Sequence, residues 1–187
     1  KILLLNYLLF VVYLFFFCWL LPRMPAIKKL GIDGKLVIGL FLVKILAGIA
    51  IGWVSIHIYG PGNDYWDLND AAWKEYQLLL VHPGKYFSNI FVSDYPNGYA
   101  GMFSSMDSYW NDLNGNILIK LVSVFDIFSC GNYYINSLFF NFIVFFGHVF
   151  LYKLFITIYT DRKELAIMGC FLLPSPLYFC SGMHKDG

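Results

Sequence analysis

The chain has 187 residues, of which 59% are hydrophobic, 20% aromatic and only 13% charged, with a formal net charge of +1. Soluble domains carry roughly 45 to 50% apolar and about 25% charged residues, so this composition describes an integral membrane protein. The net charge by itself says nothing about nucleic acid, but no basic tract of the kind such binding needs is present, so nucleic acid is not a candidate partner.

The chain opens at Lys1 rather than Met and stops at Gly187 just after a charged cluster, which reads as the N-terminal part of a longer polytopic protein, one transmembrane domain over 1-187. Its first element, near 2-21, is an almost unbroken apolar run. About twenty such residues cross a hydrocarbon core of about 30 Å. The run exceeds a signal-peptide h-region, and Trp19, Leu20, Leu21 and Pro22 supply no small-residue cleavage site. It therefore predicts a first span.

The loop that follows carries Arg23, Lys28, Lys29 and Lys35 against Asp33 alone, and the positive-inside bias puts it in the cytoplasm. A second span near 36-58 contains one charge, Lys44, about two turns from that loop. A lysine there is expected to extend its amine back toward the headgroups.

The second span delivers 59-116 to the outer face, and this loop is the longest stretch too polar for lipid. It begins with Asp64, Tyr65, Trp66, Asp67 and Asp70 crowded directly after the span. Leu68, Ala72, Tyr76, Leu79 and Leu80 recur at helical spacing, which predicts an amphipathic helix along the membrane surface. Asp67 is positioned to cap that helix, and His82, Pro83 and Gly84 end it. The run from Ser93 to Gly98 is turn chemistry. Beyond it, Tyr109 and Trp110 stand among Asp107, Asn111 and Asp112, suited either to interfacial anchoring or to stacking on a sugar ring.

A thirteen-residue apolar stretch, 117-129, is too short to cross unaided and holds Lys120 and Asp126, so it predicts a surface or half-inserted helix. Cys130, Gly131 and Asn132 break the chain before a third span near 133-159, within which Asn136, Asn141 and His148 are expected to bond between helices. The basic residues Arg162 and Lys163 then fall in the cytoplasm, and a fourth span near 165-183 carries Pro174 and Pro176 at its middle, predicting a kink. That span emerges outside at His184, Lys185 and Asp186, on the same side as the acidic loop. Cys18, Cys130, Cys170 and Cys180 have no metal-ligand spacing and read as small apolar residues. The expected fold is all-α and polytopic, with about four spans plus outer-face amphipathic helices.

Chemistry at the outer face follows from what a lipid-linked sugar requires. Its phosphate needs a cation, its acceptor hydroxyl needs a carboxylate to take a proton, and its sugar needs aromatic surfaces. Asp64 or Asp67 is the candidate base. Lys185 with His184 is the candidate phosphate-holding group, Asp186 is the candidate to orient Lys185 or help bind a divalent cation, and Trp66, Tyr109 and Trp110 are the candidate platforms.

An acidic cluster just after a span, amphipathic helices in that loop, and the later run from Pro174 through Ser181 to Asp186 resemble the GT-C superfamily of membrane glycosyltransferases and related bacterial surface-polysaccharide proteins. The resemblance implies a polyprenyl-phosphate-linked sugar donor, a cell-envelope acceptor, a bacterial inner membrane location, and a catalytic role for Asp64, with Asp67 second. Two other functions stay open. A polysaccharide polymerase or ligase normally depends on outer arginines, whereas Arg23 and Arg162 are both cytoplasmic on this topology. A transporter or flippase shows charged or broken helices at mid-membrane.

Overall fold

The computed structural model describes residues 2–60, 62–91, 95, 98–104, 107–159 and 161–183. Its elements are helices throughout, and no strand forms among the described residues. The long ones are α1 (Ile2–Leu20), α3 (Gly34–Val54), α4 (Asp64–Val81), α6 (Tyr109–Ser129) and α7 (Tyr133–Ile158). Short helices α2 (Pro25–Lys28), α5 (Pro83–Ser88), α8 (Lys163–Ile167) and α9 (Pro174–Phe179) complete the set.

Three helices are long and apolar enough to cross a membrane, Leu4–Arg23, Gly34–Tyr59 and Tyr133–Ile158. In lipid every backbone group must be satisfied within the segment, which is why these apolar runs take the helical form. Their ends carry local stops. Arg23 Nη1 donates to Trp19 O at 2.7 Å and its guanidinium lies over the Trp19 ring, so a cation closes the carbonyl end of α1. Asp33 caps α3 by accepting from Lys35 N. Asn132 caps α7 by accepting from Tyr134 N and Ile135 N. Just before it, Cys130 and Gly131 both adopt positive φ. The Cys130 to Asn132 break is thus a tight corner between α6 and α7.

Helix α3 is the centre of the bundle and α1 its flank, since 44% of the spanning window of α3 is buried against 11% for α1. Phe17 of α1 and Leu21 just after it, Phe41 and Ile45 of α3, and Phe145 and Val149 of α7 share one apolar core. A second core, built on Ala72, Val122, Phe125, Tyr133, Phe140 and Met183, lies under α4 and α6. These two helices form an antiparallel hairpin: Asn69 Nδ2 donates to Gly131 O, while Glu75 pairs with Lys120 further along.

Three sequence expectations are corrected here. The helix placed at 117-129 begins eight residues earlier, at Tyr109, because buried Ser108 caps it by accepting from Asn111 N. The polar residues Asn111, Asp112, Asn114 and Asn116 disguise its first turns as loop. The apolar face assigned to α4 is also shifted: Leu80 is exposed, whereas Asn69 is buried because α7 supplies its partner. Finally, the segment placed at 165-183 is broken rather than kinked. Helix α8 runs on through a π-helical turn at Met168–Leu172, Leu173 turns extended, and α9 restarts at Pro174. A residue before proline is pushed out of the helical region, and a proline is tolerated in a first turn.

Candidate functional site

The start of α4 is fastened to the C-terminal end of α3. Glycines Gly60 and Gly62 reverse the chain at positive φ, and Asn63 binds both sides of the reversal. Its Nδ2 donates to Ser55 O and Gly60 O, and its Oδ1 accepts from Trp66 N. Asn63, not Asp67, is therefore the helix cap. Asp64 and Asp67 sit exposed in the first turn, where the positive end of the helix dipole favours carboxylates.

Between these acids the aromatic residues turn inward. The Trp66 ring stacks on Tyr133 at 4.3 Å and 14°, and its Nε1 donates to Gly52 O at 3.1 Å. Trp66 is thus committed to the protein rather than left as an open sugar platform. Tyr65 hydrogen-bonds Tyr178 of α9, and burial first, then that bond, pushes the Tyr65 hydroxyl up to about 12. It therefore stays protonated at neutral pH. Tyr134 stands edge-on to Trp66 and lines a cavity of about 430 Å³ with Asn6, Tyr7, Phe10, Ile49 and Asn132. The start of α4 thus stands where α3, α7 and α9 meet, and Trp66, between its acids, reaches through Tyr134 to a largely apolar groove lined by residues of α1, α3 and α7.

Close approach there requires glycine. A side chain at Gly52 would strike the Tyr133 ring, and a Cβ at Gly48 would lie 2.7 Å from Ser181 O. Gly48 and Gly52 are one helical turn apart, the small-xxx-small spacing that lets membrane helices meet closely. That spacing is the sequence signal that locates this contact.

Tyr109 and Trp110 are not part of this cluster. They open α6, whose C-terminal end is the one beside Asn69. At 1.5 Å per residue the length of α6 separates them from the start of α4 by about 30 Å. Tyr109 instead packs edge-on against Tyr99, and Trp110 lies near Phe103. His184, Lys185, Asp186 and most of the turn from Ser93 to Gly98 lie outside the described residues. Among the described residues no three His, Cys, Asp or Glu side chains gather as a metal site.

Deeper in the bundle is a polar seam. Lys44 is 2% exposed and does not reach back to the headgroup end of α3. Its Nζ is 2.6 Å from Cys180 O, 3.0 Å from His148 Nε2 and 3.4 Å from Ser181 Oγ. An ammonium has three donors and no acceptor, so these three groups satisfy it and make His148 Nε2 the acceptor. Asn141 Nδ2 donates to Ser181 O at 2.8 Å. His148, Asn136 and Asn141 thus bond between helices, as their positions in an apolar run predict. The end of α9 leaves free the carbonyls of Cys180 and Ser181 that Lys44 and Asn141 hold, and the sequence offers no local sign of that partnership.

No protein family model, no curated protein and no solved structure matches this chain.

Proposed function

We propose that this chain is a GT-C-type membrane glycosyltransferase that moves a sugar from a polyprenyl-phosphate-linked donor to a cell-envelope acceptor at the non-cytosolic face. The observation that carries the reading is the start of α4: exposed Asp64 and Asp67 flank Trp66, which stands edge-on to Tyr134, and Tyr134 lines a groove of about 430 Å³ with Phe10, Ile49, Asn6, Tyr7 and Asn132. Apolar walls suit a prenyl chain, and amide and phenol groups suit its sugar-phosphate head. In this reading the broken segment from Lys163 to Met183 is a fourth crossing, which brings Met183 to the Tyr133 end of α7 and sends His184, Lys185 and Asp186 to the acidic side. Asp64, with Asp67 second, takes the proton of the acceptor hydroxyl as its oxygen bonds the anomeric carbon; the bond from that carbon to the phosphate oxygen breaks, and polyprenyl phosphate leaves with its charge held by Lys185.

The test is transfer of labelled sugar from a polyprenyl-phosphate donor in membranes holding wild-type or Asp64→Asn protein. Loss of transfer with insertion and abundance unchanged is the expected result; transfer at the parental rate removes Asp64 as the base. Lys185→Ala is expected to weaken donor binding more than acceptor binding.

A second reading, a transporter or flippase of lipid-linked sugars, is supported by buried Lys44 beside a discontinuous helix, the combination used at mid-membrane substrate sites. It predicts that Lys44→Met stops movement of donor across the bilayer, and that Asp64→Asn leaves that movement intact.

A further inference from the structure

The corner where α4, α6 and α7 meet holds an acid that the proposed function does not use. Asp126 is 0% exposed, near the end of α6. Its Oδ1 accepts from Asn136 Nδ2 at 2.6 Å and from Ser129 Oγ at 3.1 Å. Asn136 Nδ2 also donates to Asn69 Oδ1 at 2.9 Å, and Asn69 Nδ2 donates to Gly131 O. The three helices are therefore joined through one amide, and its donors are fully engaged.

Two oxygens are left over. Asp126 Oδ2 and Asn136 Oδ1 are buried and have no hydrogen-bond partner. Both belong to side chains already joined by one N–H···O bond, and both are acceptors if the acid is ionised. Among the described residues no cation is at hand. Asn69 faces the acid from α4, Asn136 from α7, and Ser129 and Gly131 from the corner, and none of them is charged. Lys120, the nearest lysine on α6, is engaged by Glu75, Tyr86 O and Asn89 Oδ1. The nearby titratable side chains in sequence, Cys130 and Tyr133, are of types that carry no positive charge.

A single proton resolves both orphans. Placed on Asp126 Oδ2, it turns that oxygen into a donor, and an acid with a primary amide then pairs through two bonds. We propose that Asp126 is held as the neutral carboxylic acid with its proton shared toward Asn136 Oδ1, making acid and amide a proton-operated latch between the α4–α6 hairpin and α7. Burial supports this by raising the Asp126 carboxyl above its ordinary value, against the smaller downward pull of Asn136, Ser129 and the Gly131 backbone. The sign follows from linkage. A carboxyl whose folded value is raised contributes fully below the unfolded value, about 4, and loses that contribution as pH rises through the folded value. Ionisation leaves an uncompensated buried charge at the corner, and the hairpin loosens.

The latch is tested by amide hydrogen exchange of α4 and α6 in the purified protein, corrected for intrinsic exchange, from about pH 5 to about pH 9. Wild-type opening is expected to rise with pH, by up to about tenfold per unit until the folded value is passed. Asp126→Asn, whose amide reproduces both bonds of the neutral acid, is expected to hold the hairpin at least as tightly at every pH and to show no such rise. Flat wild-type exchange over this range overturns the proposal, and so does an Asp126→Asn protein that fails to fold or loses hairpin protection at the acid end. Tightening of the wild type by sodium but not by choline also overturns it, because a metal ion would then be the missing partner.

Discussion

Two lysines of this chain, Lys44 and Lys120, solve the same problem in different surroundings. Lys120 meets an acid: it pairs with Glu75, lies 3.7 Å above the Tyr86 ring and donates to Asn89 Oδ1 at 2.7 Å, in a cluster that keeps 16% and 22% exposure on the two charged side chains. Lys44 meets a carbonyl, a hydroxyl and an imidazole instead of an acid, and is 2% exposed. At the watery edge a charge is matched by a countercharge. Within the spanning bundle it is held by the carbonyl and hydroxyl that follow the end of α9 and by an imidazole, which costs no second buried ion. The comparison teaches that the end of α9 and the charge on α3 belong to one device.

The largest expected effect comes from denying that device its room. Gly48→Leu drives a side chain into Ser181 O and the Asn141 amide, and overpacking of this kind costs about 3 kcal/mol or more. Loss of folded protein in detergent, read by size-exclusion and thermal melting, is the measurement; a wild-type melting curve would mean the α3 contact is not close-packed. Next comes Lys44→Met, which keeps the stem and leaves Cys180 O, Ser181 Oγ and His148 Nε2 without a donor. About 2 kcal/mol is expected, measured by chemical denaturation.

Glu75→Gln at the hairpin is smaller, about 1 kcal/mol, because the pair is partly exposed and screened. Salt then separates the two lysines. Raising ionic strength from about 0.1 M to about 1 M shortens the screening length from about 10 Å to about 3 Å. The deficit of Glu75→Gln relative to wild type should shrink under that change, whereas the deficit of Lys44→Met should not. Equal salt sensitivity of the two would show that Lys44 is reached by solvent.

Much of the architecture was legible residue by residue. The apolar runs located α1, α3 and α7 to within a few residues, and Pro83 after His82 stopped α4 where expected. Asn136, Asn141 and His148 stood out because polar groups in a lipid-length helix need partners. The candidate site was legible only in part. Asp64 and Asp67 stand exposed at the start of α4, but the sequence treated Trp66, Tyr109 and Trp110 as one set of platforms, whereas the first stacks on Tyr133 and the others lie at the far end of α6.

Hydropathy and helical periodicity are local properties, so the chain by itself determined that it is an all-helical membrane protein, where its long apolar helices run, and which turns interrupt them. Which polar group answers which is a matter of distance between residues remote in sequence. Only the tertiary structure could join Lys44 to Cys180, Asn69 to Asn136 and Asp126, and Gly52 to Tyr133. The physical reason is that a buried donor is satisfied by whichever acceptor packing brings within about 3 Å, and no pattern along one helix records the neighbour that packing will choose.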